Sequence, residues 1–401
     1  MTKGYILADD LSGALEVGAS FRQAGRSVSV PLGRSVSSQD LEVISTETRN
    51  ASPRDAASIV SRHLLSRKAA GSTLLFKKID STLRGPLSAE VIAVCESLSP
   101  PLIVFCPANP AARRIVRDGE LLVHGVRLNE TEFRNDPAWP ATTSSVATLL
   151  KSVPLPQAHL PHALLRDEKA VGRFLTHHAA RGPHLVIADA ETDQDLDRLA
   201  AAIRSHCPAA VPIGANGLGA ALARLDALPA APSVSLPKGN SLLVVCGSRH
   251  PASHRQIDQL AARRSIPIVT VSTDTFSASA TVHALAESLK VTRAAVMRFA
   301  TDTAPPSEIL RAVGETLRAL GPQPGITCFL TGGETAWTAC QAFGGDRLEI
   351  LGALENACVL SVLRGTGADA TLVTKPGGYG DPDLLHRIVS LMEQQPFIPV
   401  A

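Results

Sequence analysis

Aromatic side chains are scarce: 3% of 401 residues, with two Trp and two Tyr. Recognition on stacked aromatic platforms needs such rings and is not expected. An excess of one charge is also missing, since 39 Lys and Arg stand against 37 Asp and Glu, for a formal net charge of +2. Without a basic run there is no electrostatic footprint for nucleic acid. Short pairs such as Arg113-Arg114 and Arg263-Arg264 read as solvated faces or local anion contacts. No stretch approaches the roughly 18 apolar residues of a membrane span. Met1–Gly4 leads at once to Asp9-Asp10, so no secretory leader is read and a cytoplasmic setting is expected. The seven cysteines include no CxxC, and their apolar surroundings predict reduced core thiols. The histidines, His63, His124, His177-His178 and His254 among them, read as surface or structural, and no metal site is predicted.

What is present is an α/β alternation. Apolar residues make up 45% of the chain. They fall into short runs such as Tyr5–Ala8, Ser27–Pro31, Leu74–Ile79, Leu102–Cys106, Leu242–Cys246, Ile326–Leu330 and Thr371–Thr374. Amphipathic stretches lie between most of them, Ser12–Ala24, Arg54–Ala69, Asp193–Ser205 and Glu308–Leu320 included. This order predicts mostly parallel sheets flanked by helices. Asp226–Asn240 carries three prolines and a glycine without a clear period, as an inter-domain linker does. The expected domains are therefore 1–225 and 241–401, joined by 226–240, with the active site in the cleft between them.

Ligands of open α/β sheets bind beyond the carboxyl ends of the strands. The first such end is Asp9-Asp10-Leu11-Ser12-Gly13, two carboxylates suited to hydroxyl, cation or proton work. Adjacent side chains of an extended strand face opposite ways, so only one is expected to face a ligand fully. Asp10 or Ser12 equally suits the cap of the following helix. A second end, Lys77-Lys78-Ile79-Asp80-Ser81-Thr82-Leu83-Arg84-Gly85, gathers cations, a carboxylate and hydroxyls. Its arginine is suited to gripping a carboxylate through two parallel bonds. The region 107–137 shows little period and reads as a loop with a potential site role. In the second half, Gly247-Ser248, Thr331-Gly332-Gly333-Glu334-Thr335 and Lys375-Pro376-Gly377-Gly378-Tyr379-Gly380-Asp381 each follow a strand. Glycines before a helix let backbone N–H groups approach an anion, which suits a phosphate. None is a Walker A loop, and no GxGxxG follows the first strand, which argues against a nucleotide-dependent dehydrogenase.

Together these motifs resemble the four-carbon acid sugar kinase family, which includes threonate, erythronate and 3-oxo-tetronate kinases. The likeness rests on ILADDLSGALEVG at Ile6–Gly18, KKIDSTLRGPLSAE at Lys77–Glu90, LLVHGVRLNETEFRNDP at Leu121–Pro137, GANGLGAAL at Gly214–Leu222, TGGETA at Thr331–Ala336 and VTKPGGYGDPDLL at Val373–Leu385. The resemblance implies an acid-sugar-binding first domain, with Asp9, Asp10, Lys78, Asp80, Ser81 and Arg84 toward the substrate. It implies a nucleotide-binding second domain, with Ser248, Gly332, Gly333, Glu334, Thr335, Gly377 and Gly378 on ATP. Phosphorylation of the terminal hydroxyl is then expected, with Mg²⁺ helping the turns hold the triphosphate. Asp10 and Asp381 are both candidates to orient or deprotonate that hydroxyl. Lys78 or Arg84 would anchor the substrate carboxylate. This chain has Leu15-Glu16 where the family carries a second aspartate, and Arg249-His250 in its serine turn. A homodimer is compatible with this reading. The alternatives are a kinase of another small hydroxy acid, or a non-catalytic acid-sugar-binding protein on the same scaffold.

Overall fold

The buried apolar runs become strands covered on both faces. The computed structural model describes residues 4–33, 39–136, 138–226, 228–300, 304–355, 357–365 and 367–393. It forms two units: one takes the chain up to Ser27 and Gln39–Ala230, the other Val28–Ser38 and the chain from Ala231 on.

In the first unit seven strands lie in the order Leu41–Ser45, Gly4–Ala8, Thr73–Lys78, Val211–Gly214, Leu102–Cys106, His184–Ala188 and Gln157–Leu160. Every neighbouring pair is parallel. All five residues of Leu102–Cys106 are buried, as a strand covered by helices on both faces must be. The helices begin where the sequence supplies caps. Asp10 caps Leu11–Gln23, Ser52 with Pro53 starts Pro53–Ala69, and Thr192 with Asp195 forms a capping box for Asp193–His206. Parallel register puts Ala8 beside Ser45 and Lys78, so the residues that follow those strands leave the sheet together.

The region 107–137 is more regular than its sequence suggests. Arg114–Arg117, Glu120–Val123 and Val126–Arg127 form an antiparallel ribbon. Its turns are Asp118-Gly119 and His124-Gly125, all four at positive φ, the backbone that tight hairpins require. Val116 bridges to Ala190, and the buried Asp189 carboxylate accepts the N–H groups of Asp118 and Gly119.

In the second unit five parallel strands run in the order Ile268–Val271, Ala294–Phe299, Ser241–Cys246, Ile326–Thr331 and Ala370–Lys375. Cys358–Gly365, Gly345–Glu355 and Val28–Pro31 then add antiparallel. Val28–Pro31 thus pairs within the second unit although it comes from the early chain. The proline-rich stretch is not a free tether: Leu236 is 3% exposed and packs with Leu242, Ile257, Leu360 and Leu385. Six of the seven cysteines are buried, and burial pushes the thiols of Cys106, Cys328 and Cys358 up to about 12, which leaves them unreactive. No described helix is long and apolar enough to cross a membrane.

Removing a buried leucine leaves a cavity as well as lost burial. Leu236→Ala is expected to cost about 2–4 kcal/mol in denaturant unfolding. Leu228→Ala in the same stretch, half-exposed, should change stability by under about 0.5 kcal/mol.

Candidate active site

The first cluster stands at the carboxyl ends of the first unit's strands. Its centre is Arg49, which sequence reasoning did not single out. Arg49 follows Leu41–Ser45, and its N–H and that of Thr48 both donate to Asp9 O, at 3.1 and 2.9 Å. Its Nε and Nη2 donate to Asp9 at 2.9 and 3.0 Å, and its Nη1 and Nη2 to Asp10 at 2.6 and 2.7 Å. Asp80 Oδ1 lies 3.7 Å from Nη2. Asp9 and Asp10 therefore share one cation and do not face apart. The alternation rule ends with the strand at Ala8, and Asp10 has already turned to cap its helix, accepting Gly13 N–H at 2.7 Å. Both roles read for Asp10, cap and cluster member, hold at once.

Lys77 and Lys78 do diverge. Lys77 forms a buried ion pair with Glu90 at 2.8 Å, and Glu90 also accepts from Thr48. Lys78 crosses Gly13 toward Glu16 Oε2, 3.7 Å away, and donates to Ile79 O at 3.0 Å. A Cβ on Gly13 would stand 3.0 Å from the Lys78 ammonium, so glycine is what leaves room for it. Asp80 accepts Arg84 Nε and Nη2 at 2.9 and 3.1 Å and Thr82 Oγ1 at 2.5 Å. Arg84 is thus already bonded to Asp80, with Nη1 3.6 Å from Asp136, and its side chain keeps 33% exposure. Ser81 accepts from Arg114 at 2.5 Å, a contact brought in by the ribbon. Gly85, at φ 101°, lies where a Cβ would press within 3.3 Å of Arg49 O.

These charges tune one another. Burial raises the Asp9 carboxyl, but Arg49 and Lys78 outweigh it and hold it below the ordinary range. Burial, helped by the Asp9 charge, keeps Asp10 above that range despite Arg49. Asp80 is held well below it, because Arg84 and Arg49 overcome its burial. Burial also raises Glu16, against Lys78 and Arg114. Glu47, at φ 49°, accepts from Ser45, and burial pushes its carboxyl up to about 7.

The second cluster stands at the carboxyl ends of the second unit's strands, where Cys246, Thr331 and Lys375 are in register. All seven residues assigned to ATP lie in the turns that follow. Gly332, at φ 100°, caps Gly333–Ala342 and donates its N–H to Lys375 O at 2.7 Å. Gly333, Glu334 and Thr335 form that helix's first turn, whose N–H groups lack intrahelical partners. Close packing demands small residues: a Cβ on Gly377 would stand 2.3 Å from Ser248 Oγ, and one on Gly247 2.5 Å from Thr335 Oγ1. A Cβ on Gly378 would lie 3.0 Å from His250 Nε2.

Lys375 organises this region. It is 1% exposed, and its ammonium donates to Pro376 O, Tyr379 O and Gly377 O at 2.9, 3.0 and 3.1 Å. Burial pulls it down to about 8. Gln256 Nε2 holds the O atoms of Tyr379, Gly380 and Asp381, each at 3.0 Å. Asp381 itself is exposed and bonded at 2.9 Å to each terminal nitrogen of Arg387, which draws its carboxyl below the usual range. Beside Ser248 opens a cavity of about 390 Å³ with Phe299, Ala300 and Ile309 on its apolar side and Arg249 and Arg255 among its polar lining.

The chain matches a sugar-binding N-terminal domain over residues 4–222 and a nucleotide-binding C-terminal domain over 243–385. It is 30% identical to a D-threonate kinase of Bordetella bronchiseptica, across 98% of both chains. It belongs to the four-carbon acid sugar kinase family. Membership makes it a phosphotransferase with an alcohol acceptor. A 3-oxo-tetronate kinase of Methylobacterium radiotolerans is 28% identical, over 96% of this chain and 98% of its own. A solved Haemophilus influenzae protein shares the fold, with TM-score 0.74 at 21% identity over 97% of this chain and 100% of that one. A Bordetella bronchiseptica structure described as a domain-swapped dimer with bound citrate is 28% identical, with TM-score 0.50 over 99% of this chain and 100% of that one.

Glu47 gives this site a pH signature. A carboxyl raised in the folded state binds its proton more tightly there than in the unfolded chain. Its contribution is therefore favourable below pH 4.5 and is lost as pH rises to about 7. Glu47→Gln should be more stable than the parent at pH 8, by up to about 3 kcal/mol, with the gap closing below pH 4.5 in urea unfolding.

Proposed function

We propose that this chain uses ATP to phosphorylate the terminal hydroxyl of a four-carbon acid sugar, with the acid on the first unit and the nucleotide on the second. The observation that carries the nucleotide half is the close approach of the three turns: a Cβ on Gly377 would meet Ser248 Oγ at 2.3 Å, one on Gly247 would meet Thr335 Oγ1 at 2.5 Å, and Gly332 stands at φ 100°. The names of the relatives, a D-threonate kinase and a 3-oxo-tetronate kinase, support the acid half.

Residues for the nucleotide are at hand. Backbone N–H groups of the Gly332–Thr335 turn suit phosphate oxygens, and Arg249 and Arg255 line the adjoining cavity. Among the described residues no group of three or more side chains could hold a metal ion. Nucleotide-bound Mg²⁺ takes most of its ligands from phosphate and water, so the site fits without one, and Glu334 offers a carboxylate in the same turn. Bound there, Mg²⁺ would neutralise charge on the transferring group.

On the first unit, Arg84 is the more exposed of the two proposed carboxylate anchors, Lys78 being buried. Asp9, Asp80 and Ser81 shape the polar wall around it. Of the two candidate bases, Asp10 suits proton acceptance better. Its basicity is raised by burial, whereas Asp381 is exposed, ion-paired and lowered. Asp381 then serves to anchor the glycine turn through Arg387. A cytoplasmic homodimer completes the proposal, following the dimer described for the Bordetella bronchiseptica structure.

ADP release with Mg-ATP over D- and L-threonate, D- and L-erythronate, 3-oxo-tetronates and longer aldonates tests this. Turnover is expected with at least one four-carbon acid, and none at all would sink the reading. Asp10→Asn should lower kcat about 10²- to 10⁴-fold with nucleotide affinity retained, and Asp381→Asn should cost much less.

A further inference from the structure

Glu16 stands on the helix Leu11–Gln23, one turn past Gly13, within the first unit's charged cluster. Its neighbours Asp9, Asp10 and Asp80 are held by Arg49 or Arg84 through hydrogen bonds. Glu16 differs. Among the described residues its carboxylate receives no hydrogen bond, and its ion-pair partner, Lys78 Nζ, stands 3.7 Å off, too far for one. That ammonium already donates to Ile79 O at 3.0 Å. The Glu16 side chain keeps 14% exposure, so its open acceptor sites are within reach of a small molecule. A largely buried carboxylate ordinarily has its donors, and one without them at a substrate site calls for a donor from the ligand.

We propose that Glu16 is a specificity-determining residue that accepts a hydrogen bond from a hydroxyl of the bound acid, so that this chain takes a hydroxy acid in preference to the corresponding keto acid. The inference rests on the acid-sugar kinase reading above. The physical reason is complementarity. A hydroxyl offers the hydrogen that a carboxylate needs. A ketone at the same carbon offers only lone pairs and leaves Glu16 unsatisfied beside them. Lys78 Nζ bears on Glu16 Oε2 from 3.7 Å and Arg114 adds a second positive charge, both favouring the ionised form that accepts.

The test compares kcat/KM for threonate and erythronate with that for 3-oxo-tetronate, in the parent, Glu16→Gln and Glu16→Asp. The parent should favour its better hydroxy acid by about 10- to 100-fold. Glu16→Gln replaces an acceptor by an amide that also donates. It should erase most of that ratio, chiefly by raising KM for the hydroxy acid, with ADP affinity and thermal unfolding near the parent's. Glu16→Asp keeps the charge and should keep the direction of the preference. A parent that prefers the keto acid, or a Glu16→Gln that slows both substrates equally, overturns the assignment of Glu16 alone. If Glu16→Gln does not fold, the parent's ratio and Glu16→Asp still decide. Absence of turnover with every four-carbon acid overturns the kinase reading, and this assignment falls with it.

Discussion

The first unit's chemistry depends on one guanidinium. Asp9, Asp10 and Asp80 crowd the same strand ends, and three like charges so placed would suppress one another's ionisation. Arg49 lies against all three and makes the arrangement affordable. Its own position is fixed from several sides. The strand before it pairs parallel with Gly4–Ala8, its backbone is tied to Asp9, and Gly85 lets a neighbouring turn close over its carbonyl. On the far face the buried pair Lys77–Glu90 holds Thr48, one residue away. A flexible ammonium could not match this fork, which meets two carboxylates in fixed directions.

The second unit solves a different problem by different means. Its glycine turn is built around one buried ammonium, Lys375, with the Asp381–Arg387 pair at its exposed edge. The turns are held by backbone carbonyls, by Gln256 and by close contacts that only glycine allows. Backbone N–H groups at a helix start suit an anion, and the small residues around Gly332 and Gly377 leave them accessible. One unit thus presents a cluster of mixed charge at its strand ends, the other a set of turns held by backbone groups.

Much of this was legible in the chain. The strands that end at Ala8, Lys78, Cys246, Thr331 and Lys375 announce themselves as apolar runs, and the polar turns beyond them carry the assigned site residues. What escaped has physical causes. Val211–Gly214 is short and contains proline, and Gln157–Leu160 is a half-polar edge strand. Gly345–Glu355 alternates buried and partly exposed residues, the mark of an antiparallel strand rather than a buried run. Missing Leu41–Ser45 had the larger price in insight, since that strand delivers Thr48 and Arg49; its Leu41 and Val43 alternation was the available signal. Arg114 reaches Ser81 only because the ribbon folds back, a contact between residues 33 positions apart. Which partner a charged side chain selects is decided by neighbouring strands, so Arg84 bonded to Asp80 could be read as residue types but not as a pair.

Lys375 gives the glycine turn a property worth drawing out. Many loops that wrap carbonyl oxygens around a positive centre borrow that centre from solution, and their order then follows the supply of the ion. Here the positive centre is covalently part of the strand that leads into the loop. It cannot be chelated, diluted or exchanged for a competitor. The shape of the turn is therefore inherited with the sequence and draws on no ion taken from solution.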